Sequence, residues 1–372
     1  ELKRVKKILE AQYTNQMGRI GGFGGKADLL NFFNIMTGDP ERINNELDRF
    51  LSVELEDIHR VTEKYLGDRN VKLYTLPEPG RSSTHQIIDR GVIPIPSSPK
   101  LFVPQSPETA RLANGLNILV EENHKLPVVA LGILFDTGSI NDPSSLPGAT
   151  SFTTSMLQEG TTTRTSKDIA DQFEFIGSQL SAHSGREQTL LACQTLTRDW
   201  TSSLDLIADI IQNPSFPDGE FTRLQKERLT SLRRIKDDPT ALAERLVPGL
   251  FYGTTSPYGH PIFGTEPSLE SISRANLVNQ FKQNFNPKNA TMIVVGDISI
   301  KKVIEQAERF LGDWPTNLES TEIVEQDGTP LPSVPNTIYI LDKPDAAQSV
   351  IRAGHAIAGR NHPSYYPYTV LN

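Results

Sequence analysis

A proline-rich stretch cuts this chain in two. From residue 77 to 108, "PEPGRSSTHQIIDRGVIPIPSSPKLFVPQSPE" places proline at 77, 79, 94, 96, 99, 104 and 107. Proline fixes φ and removes a backbone donor, so it disfavours helix interiors and central strands alike. Residues 77–107 therefore read as an extended interdomain linker. At 372 residues the chain is too long for one ordinary core.

The two sides of the linker differ. Residues 1–76 show helical patterns followed by one short strand, "VKLYTL". The opening "ELKRVKKILEAQY" puts Leu2, Val5, Ile8, Leu9 and Tyr13 on one helical face. Because the chain starts inside such a pattern and stops inside another, "YYPYTVLN", it reads as a piece of a longer protein. Beyond the linker, "RLANGLNILVEE" has Asn114-Gly115 between two β runs, a hairpin signal. "PVVALGILFDTGSI" is a buried strand entering a turn at Asn141-Asp142-Pro143, and "TLLACQTL" and "ATMIVVGDI" are further strands. Helical patterns fill about 146–159, 166–176, 199–212 and 217–237. This mixture predicts an α+β fold. A faint repeat lays the segment from Val53 over the segment from Ile272 without a gap, pairing Asp57 with Asn276, Ile58 with Leu277 and Asn70 with Asn289. Each copy reads as a helix, a turn ending in Asn, and an apolar strand.

Several functions lose their footing early. The net charge is −8 with no Lys/Arg cluster, which argues against a nucleic-acid partner. No apolar run is long enough to span a membrane. Cys193, the single cysteine, excludes an intrachain disulfide and reads as a small buried hydrophobe. "GRIGGFGGKADLL" lacks the spacing of a phosphate loop, since Gly25-Lys26 is followed by Ala27, and it reads as a helix end and turn. No two of the seven histidines stand four residues apart, and none suggests a zinc set.

One stretch resists a bland reading: "GATSFTTSMLQEGTTTRT", residues 148–165. On a helix over 149–159, Ser151 and Ser155 share a face and Thr154 sits beside them. That is how a helix presents two metal ligands and a base. Neutral hydroxyls are poor zinc ligands, however, and threonine is no general base near neutral pH. From the residues alone this is a Ser/Thr-rich helix face.

The frame around those hydroxyls resembles the pitrilysin/insulinase family of zinc metallopeptidases, whose motif is His-x-x-Glu-His. The family's Gly-x-x-His-Phe-x-x-Glu-His-Met, followed by Gly-Thr, is matched here by Gly148, Phe152, Met156, Gly160 and Thr161. By that resemblance Ser151 and Ser155 stand at the histidine positions and Thr154 at the catalytic glutamate. In "FTRLQKERLTSLRRIKDDP", Glu227 matches a family glutamate, and the third ligand position, seven residues on, falls on Arg234. "YGHPIFGTEPSLESIS", "FNPKNATMIVVGDIS" and "GGFGGKADLLNFFNIMTGDPERIN" are also family-like.

The resemblance implies tandem pitrilysin-like α/β sandwich domains, each a mixed sheet with helices packed on it. Residues 1–76 would end one such domain, 108–328 would be a degenerate, inactive one, and 334–372 would begin the next. It further implies a fragment of a zinc peptidase containing the non-catalytic half, without catalytic residues or metal of its own. Zinc would lie in the catalytic half, belonging to the same protein or to a paired subunit. Peptides would be the substrate and the bacterial periplasm the compartment. The alternative is a non-catalytic scaffold subunit like those of processing peptidases or respiratory-complex core proteins.

Overall fold

The structure is a computed structural model that describes residues 1–66, 106–316, 337–344, 348–354 and 359–371. Nearly all of the expected linker, the strand "VKLYTL", His85 and His355 lie outside the described residues.

Before the linker come four helices: α1 (Leu2–Gly18), α2 (Lys26–Thr37), α3 (Glu46–Leu51) and α4 (Leu55–Tyr65). After it come β1 (Glu108–Arg111), β2 (Asn117–Glu122), β3 (Val128–Phe135), α5 (Ala149–Met156), α6 (Ser166–Phe175), β4 (Ser181–Ser184) and β5 (Thr189–Leu196). They continue with α7 (Trp200–Gln212), α8 (Asp218–Ile235), α9 (Pro239–Tyr252), α10 (Glu266–Ser271), α11 (Arg274–Asn284), β6 (Ala290–Gly296), α12 (Ile300–Leu311) and α13 (Tyr365–Leu371). The four helical patterns and the strands "TLLACQTL" and "ATMIVVGDI" fall where their periodicity puts them.

The strands form one mixed sheet in the order β1-β2-β6-β3-β5-β4. Asn114 and Gly115 do make the hairpin joining β1 to β2, with Arg111 opposite Asn117. Gly115 takes φ of 96° there. β2 and β6 run parallel and every other pair is antiparallel. β6 arrives late in the chain yet sits between β2 and β3, so the domain is not closed until residue 296 is in place.

Alternation along the strands sets the two layers. Val129, Leu131, Ile133 and Phe135 of β3 all point into the core, joined by Leu191 and Cys193 of β5 and by Met292 and Val294 of β6. The helical layer supplies Phe152, Leu204, Ile207, Ile211, Leu277 and Val303. The protein is thus α+β, with helices packed on a six-stranded mixed sheet.

The amino-terminal helices dock on this domain through α1. Arg4 pairs with Glu174, Lys7 with Asp199, and Arg198 with Glu10. At Gly177, just past α6, a Cβ would lie 2.7 Å from Lys7 O, and φ is 68°. Only glycine lets α1 approach that closely.

Candidate functional site

α5 begins where a buried acid turns the chain. Asp142 accepts from the backbone N–H of Gly148 at 2.6 Å and of Thr150 at 2.7 Å, capping the orphan donors of the helix start. Burial pushes its carboxyl up to about 6, against the pull of those donors and of His260. Gly148 sits at φ 96°, and a Cβ there would lie 2.7 Å from the Gly264 backbone. The other retained frame residues also have structural work. Phe152 is fully buried and stacks on Phe221 at 5.3 Å between ring centroids. Gly160 adopts φ 145°. Thr161 donates to Asp209 at 2.7 Å and accepts from the Arg164 backbone N–H. Glu227 is exposed and pairs with Arg223 at 2.9 Å.

The three hydroxyls do not converge. Thr154, at the position matching the family's base, is buried and donates to Thr150 O at 2.9 Å, one turn back. Ser151 and Ser155 do share a face. Ser151 Oγ donates to Gly148 O at 3.3 Å and Ser155 Oγ to Ser151 O at 3.2 Å.

A cation reaches that face, and it is Arg228. Its Nη1 donates to Ser151 Oγ at 3.0 Å, while Nη2 donates to Ser151 O and Ser155 Oγ, both at 2.7 Å. The guanidinium lies over Phe152, 4.8 Å from the ring centroid, and 5.8 Å from that of Phe263. Burial draws its pKa down to about 10, with the Asp142 charge opposing the shift. Arg234 lies on the exposed side of α8, in its last turn, where a cation complements the helix dipole. It is not brought to Ser151 and Ser155. The signal for Arg228 was present in the sequence: Phe221, Gln225, Arg228, Leu232 and Ile235 recur at helical spacing on the inner face of α8, and Arg228 is the charge within that stripe.

These residues do not fit zinc. A zinc centre needs imidazole, thiolate or carboxylate donors about 2.0–2.3 Å from one point. Here the Ser151 and Ser155 hydroxyls each donate to a main-chain carbonyl and accept from a guanidinium that bridges them. Among the described residues, no group of three or more His, Cys, Asp or Glu is placed to hold a metal ion. Of the other candidates, burial pushes the Cys193 thiol up to about 11, which leaves it unreactive near neutrality. His124 bridges Asp297 and Glu122 at the surface, at 2.7 and 3.3 Å.

Two family profiles match consecutive parts of the chain: Insulinase (Peptidase family M16) over residues 117–266, and Peptidase M16 inactive domain over 271–372. The boundary between them falls inside the folded domain, because β6 lies in the second match and pairs with β2 and β3 in the first. A zinc protease of Rickettsia felis is 30% identical over 204 residues, covering 54% of this chain and 48% of the relative. The probable mitochondrial-processing peptidase subunit beta of Arabidopsis thaliana is 29% identical over 210 residues, 55% of this chain and 39% of the relative. The chain thus spans about half the length of these relatives, or less. A solved peptidase M16 inactive domain from Pseudomonas fluorescens superposes with a TM-score of 0.56 at 25% identity, over 60% of this chain and 54% of that one. A periplasmic protease from Escherichia coli shares the fold, with a TM-score of 0.55 at 20% identity, over 60% of this chain and 26% of that one. No helix among the described residues is long and apolar enough to cross a membrane. Through its two consecutive domain matches, the chain belongs to the insulinase, or M16, peptidase family.

Proposed function

We propose that residues 106–316 form a non-catalytic copy of the M16 fold, which holds peptide for a catalytic copy rather than cutting it. The observation that carries this reading is Arg228 seated on Ser151 and Ser155, where peptidase chemistry would need a Lewis acid and a base. Nothing in that group activates water. Peptide holding asks less. Among the described residues β4 ends the sheet and pairs on one side only, with β5, and it packs against α5. An extended peptide added to its free edge would gain main-chain hydrogen bonds with little demand on side-chain identity. Zinc, in this reading, belongs to the catalytic partner, either another part of the same protein or a paired subunit.

The test is a quenched fluorescent peptide assayed with the chain alone, with a catalytic M16 partner alone, and with both. The chain alone should give no chelator-sensitive cleavage, and adding it should lower the partner's KM. Chelator-sensitive cleavage by the chain alone, abolished by Ser151→Ala or Ser155→Ala, would overturn the reading. A second reading is a scaffold subunit; the similarity to a processing-peptidase subunit is in keeping with a chain that works beside a partner. It predicts partner binding with no change in KM. A periplasmic home, in keeping with the E. coli neighbour, is tested by fractionation of the native host.

A further inference from the structure

We propose that Arg228 makes the Ser151–Ser155 face of α5 a carboxylate receptor, so that the peptides this chain holds are those presenting a carboxylate to the seam between α5 and α8. The proposal builds on the peptide-holding reading and specifies its ligand class.

The argument begins with a missing counter-charge. Three arginines of this domain are matched by acids, while Arg186 and Arg245 are held by main-chain carbonyls. Arg164 is held by Asp205 and Asp209, Arg198 by Glu10, and Arg223 by Glu159, Glu220 and Glu227. Arg228 is half-buried between α5 and α8, yet among the described residues no carboxylate lies within ion-pairing distance of it. Asp142 is the acid whose charge reaches it, but its oxygens are taken by the Gly148 and Thr150 N–H groups. Hydroxyl oxygens and aromatic faces solvate a guanidinium without neutralising it, and partial burial of a cation without its opposite carries a desolvation cost.

The second strand is donor accounting. A guanidinium has five N–H groups. Three are directed at Ser151 Oγ, Ser151 O and Ser155 Oγ, which leaves Nε–H and one Nη1–H without a protein acceptor among the described residues. A ligand carboxylate supplies both the acceptor and the missing charge, and charge-assisted bonds of this kind are the stronger class.

The third is access. Arg228 and Ser155 are only partly buried, and Phe263, which flanks the guanidinium, is 54% exposed. The guanidinium is therefore not sealed from solvent. Arg245 of α9, donating to Gly264 O in the loop that carries Phe263, adds a second positive charge. The carboxylate can come from a peptide C-terminus or from a Glu or Asp side chain, and one guanidinium suits either.

The test titrates the chain with four hexapeptides of one apolar sequence: free C-terminal carboxylate, C-terminal amide, amide with a central Glu, and amide with a central Gln. Calorimetry gives Kd, and the ¹⁵N Nε–H resonance of Arg228, assigned with Arg228→Lys, reports contact directly. Acetate alone serves as the small probe, against chloride at equal ionic strength. The expected result is roughly tenfold tighter binding of a carboxylate-bearing peptide than of its neutral twin, with the Nε–H resonance moving on addition of that peptide and of acetate. Arg228→Gln should abolish the discrimination, and the responding peptide identifies the source of the carboxylate. If Arg228→Gln does not fold, Ser155→Ala, which keeps the charge but removes one anchor, should weaken the discrimination with little change in Tm.

Equal binding of charged and neutral peptides, with a still Nε–H resonance, overturns the receptor and leaves peptide holding intact. Acetate shifts without any peptide binding overturn peptide holding and leave the receptor. Silence in every arm overturns both.

Discussion

α4 and α11 share a pattern and meet opposite fates. They superpose in sequence residue for residue, Leu55 on Arg274 and Tyr65 on Asn284, with identical lengths. Both starts are closed alike. The Glu54 N–H donates to Asp57 at 3.1 Å, and the Ser273 N–H donates to Asn276 at 2.9 Å. Their inner faces then diverge. Ile58 and Val61 of α4 are 40% and 43% exposed. Leu277 and Gln280, at the same places in α11, are buried. The more apolar face is the open one. α11 buries a glutamine because acceptors await it: Thr150 Oγ1 at 2.7 Å and Asn141 O at 3.2 Å. Hydrophobicity on one helix therefore does not decide burial; the partner surface does. α4 has no comparable surface among the described residues.

The largest expected break of this contrast is Leu277→Ala. It should cost about 2–5 kcal/mol, the transfer term plus an unfilled cavity. Ile58→Ala should cost less than about 1 kcal/mol in the same chain. Urea unfolding followed by circular dichroism measures both, and equal costs would mean that the α4 face is covered in solution.

Next is Asp142, whose partner Thr150 is also held by Gln280 of α11. Its carboxyl is raised from 3.8 to about 6 in the folded chain. Between those values the folded state holds a proton that the unfolded state releases. Its contribution to stability is therefore greatest below about pH 4 and falls as pH rises to about 6, by roughly 3 kcal/mol. Urea unfolding at pH 4.5 and 6.5, in the chain and in Asp142→Asn, isolates the term. An unchanged pH slope in the variant refutes it.

Gln280→Val gives α11 the residue that α4 has there. It leaves the Asn141 carbonyl and the Thr150 hydroxyl without that donor and should cost about 1–3 kcal/mol. The reverse exchange, Val61→Gln on α4, should change stability by no more than about 0.5 kcal/mol. Matched unfolding curves that show similar losses would erase the distinction between the two faces.

The smallest effect is expected at His124. Its hydrogen bonds to Asp297 and then to Glu122 raise its pKa above 6.5. The pairing stabilises the folded chain below that value and is lost as pH rises through the folded pKa. An NMR titration giving a pKa at or below 6.5 would show the cluster open in solution.

Within the candidate site, legibility divides along the same line. Gly148, Phe152, Gly160 and Thr161 were readable in sequence because each serves a local demand: a left-handed turn, a core ring, a capped loop. Arg234 was named by counting along α8, and counting gives a position without saying which way it faces. Arg228 lies about 120° around the helix from it, on the inner stripe. β4 carries only four residues, "SAHS", too few to show a period, and it exists because β5 offers it an edge.

The sequence by itself determined the spans of the long helices and strands, the hairpin at Asn114-Gly115 and the hydroxyls at 151, 154 and 155. Those follow from periodicity, turn chemistry and residue type, all set within a few residues. Only the tertiary structure decided that β6 enters the sheet between β2 and β3, that α11 is covered where α4 is open, and that Arg228 rather than Arg234 meets Ser151 and Ser155. Each of these depends on how one element is rotated or seated against another far away in the chain, and that is settled by the packing of the whole core, where local pattern has no say.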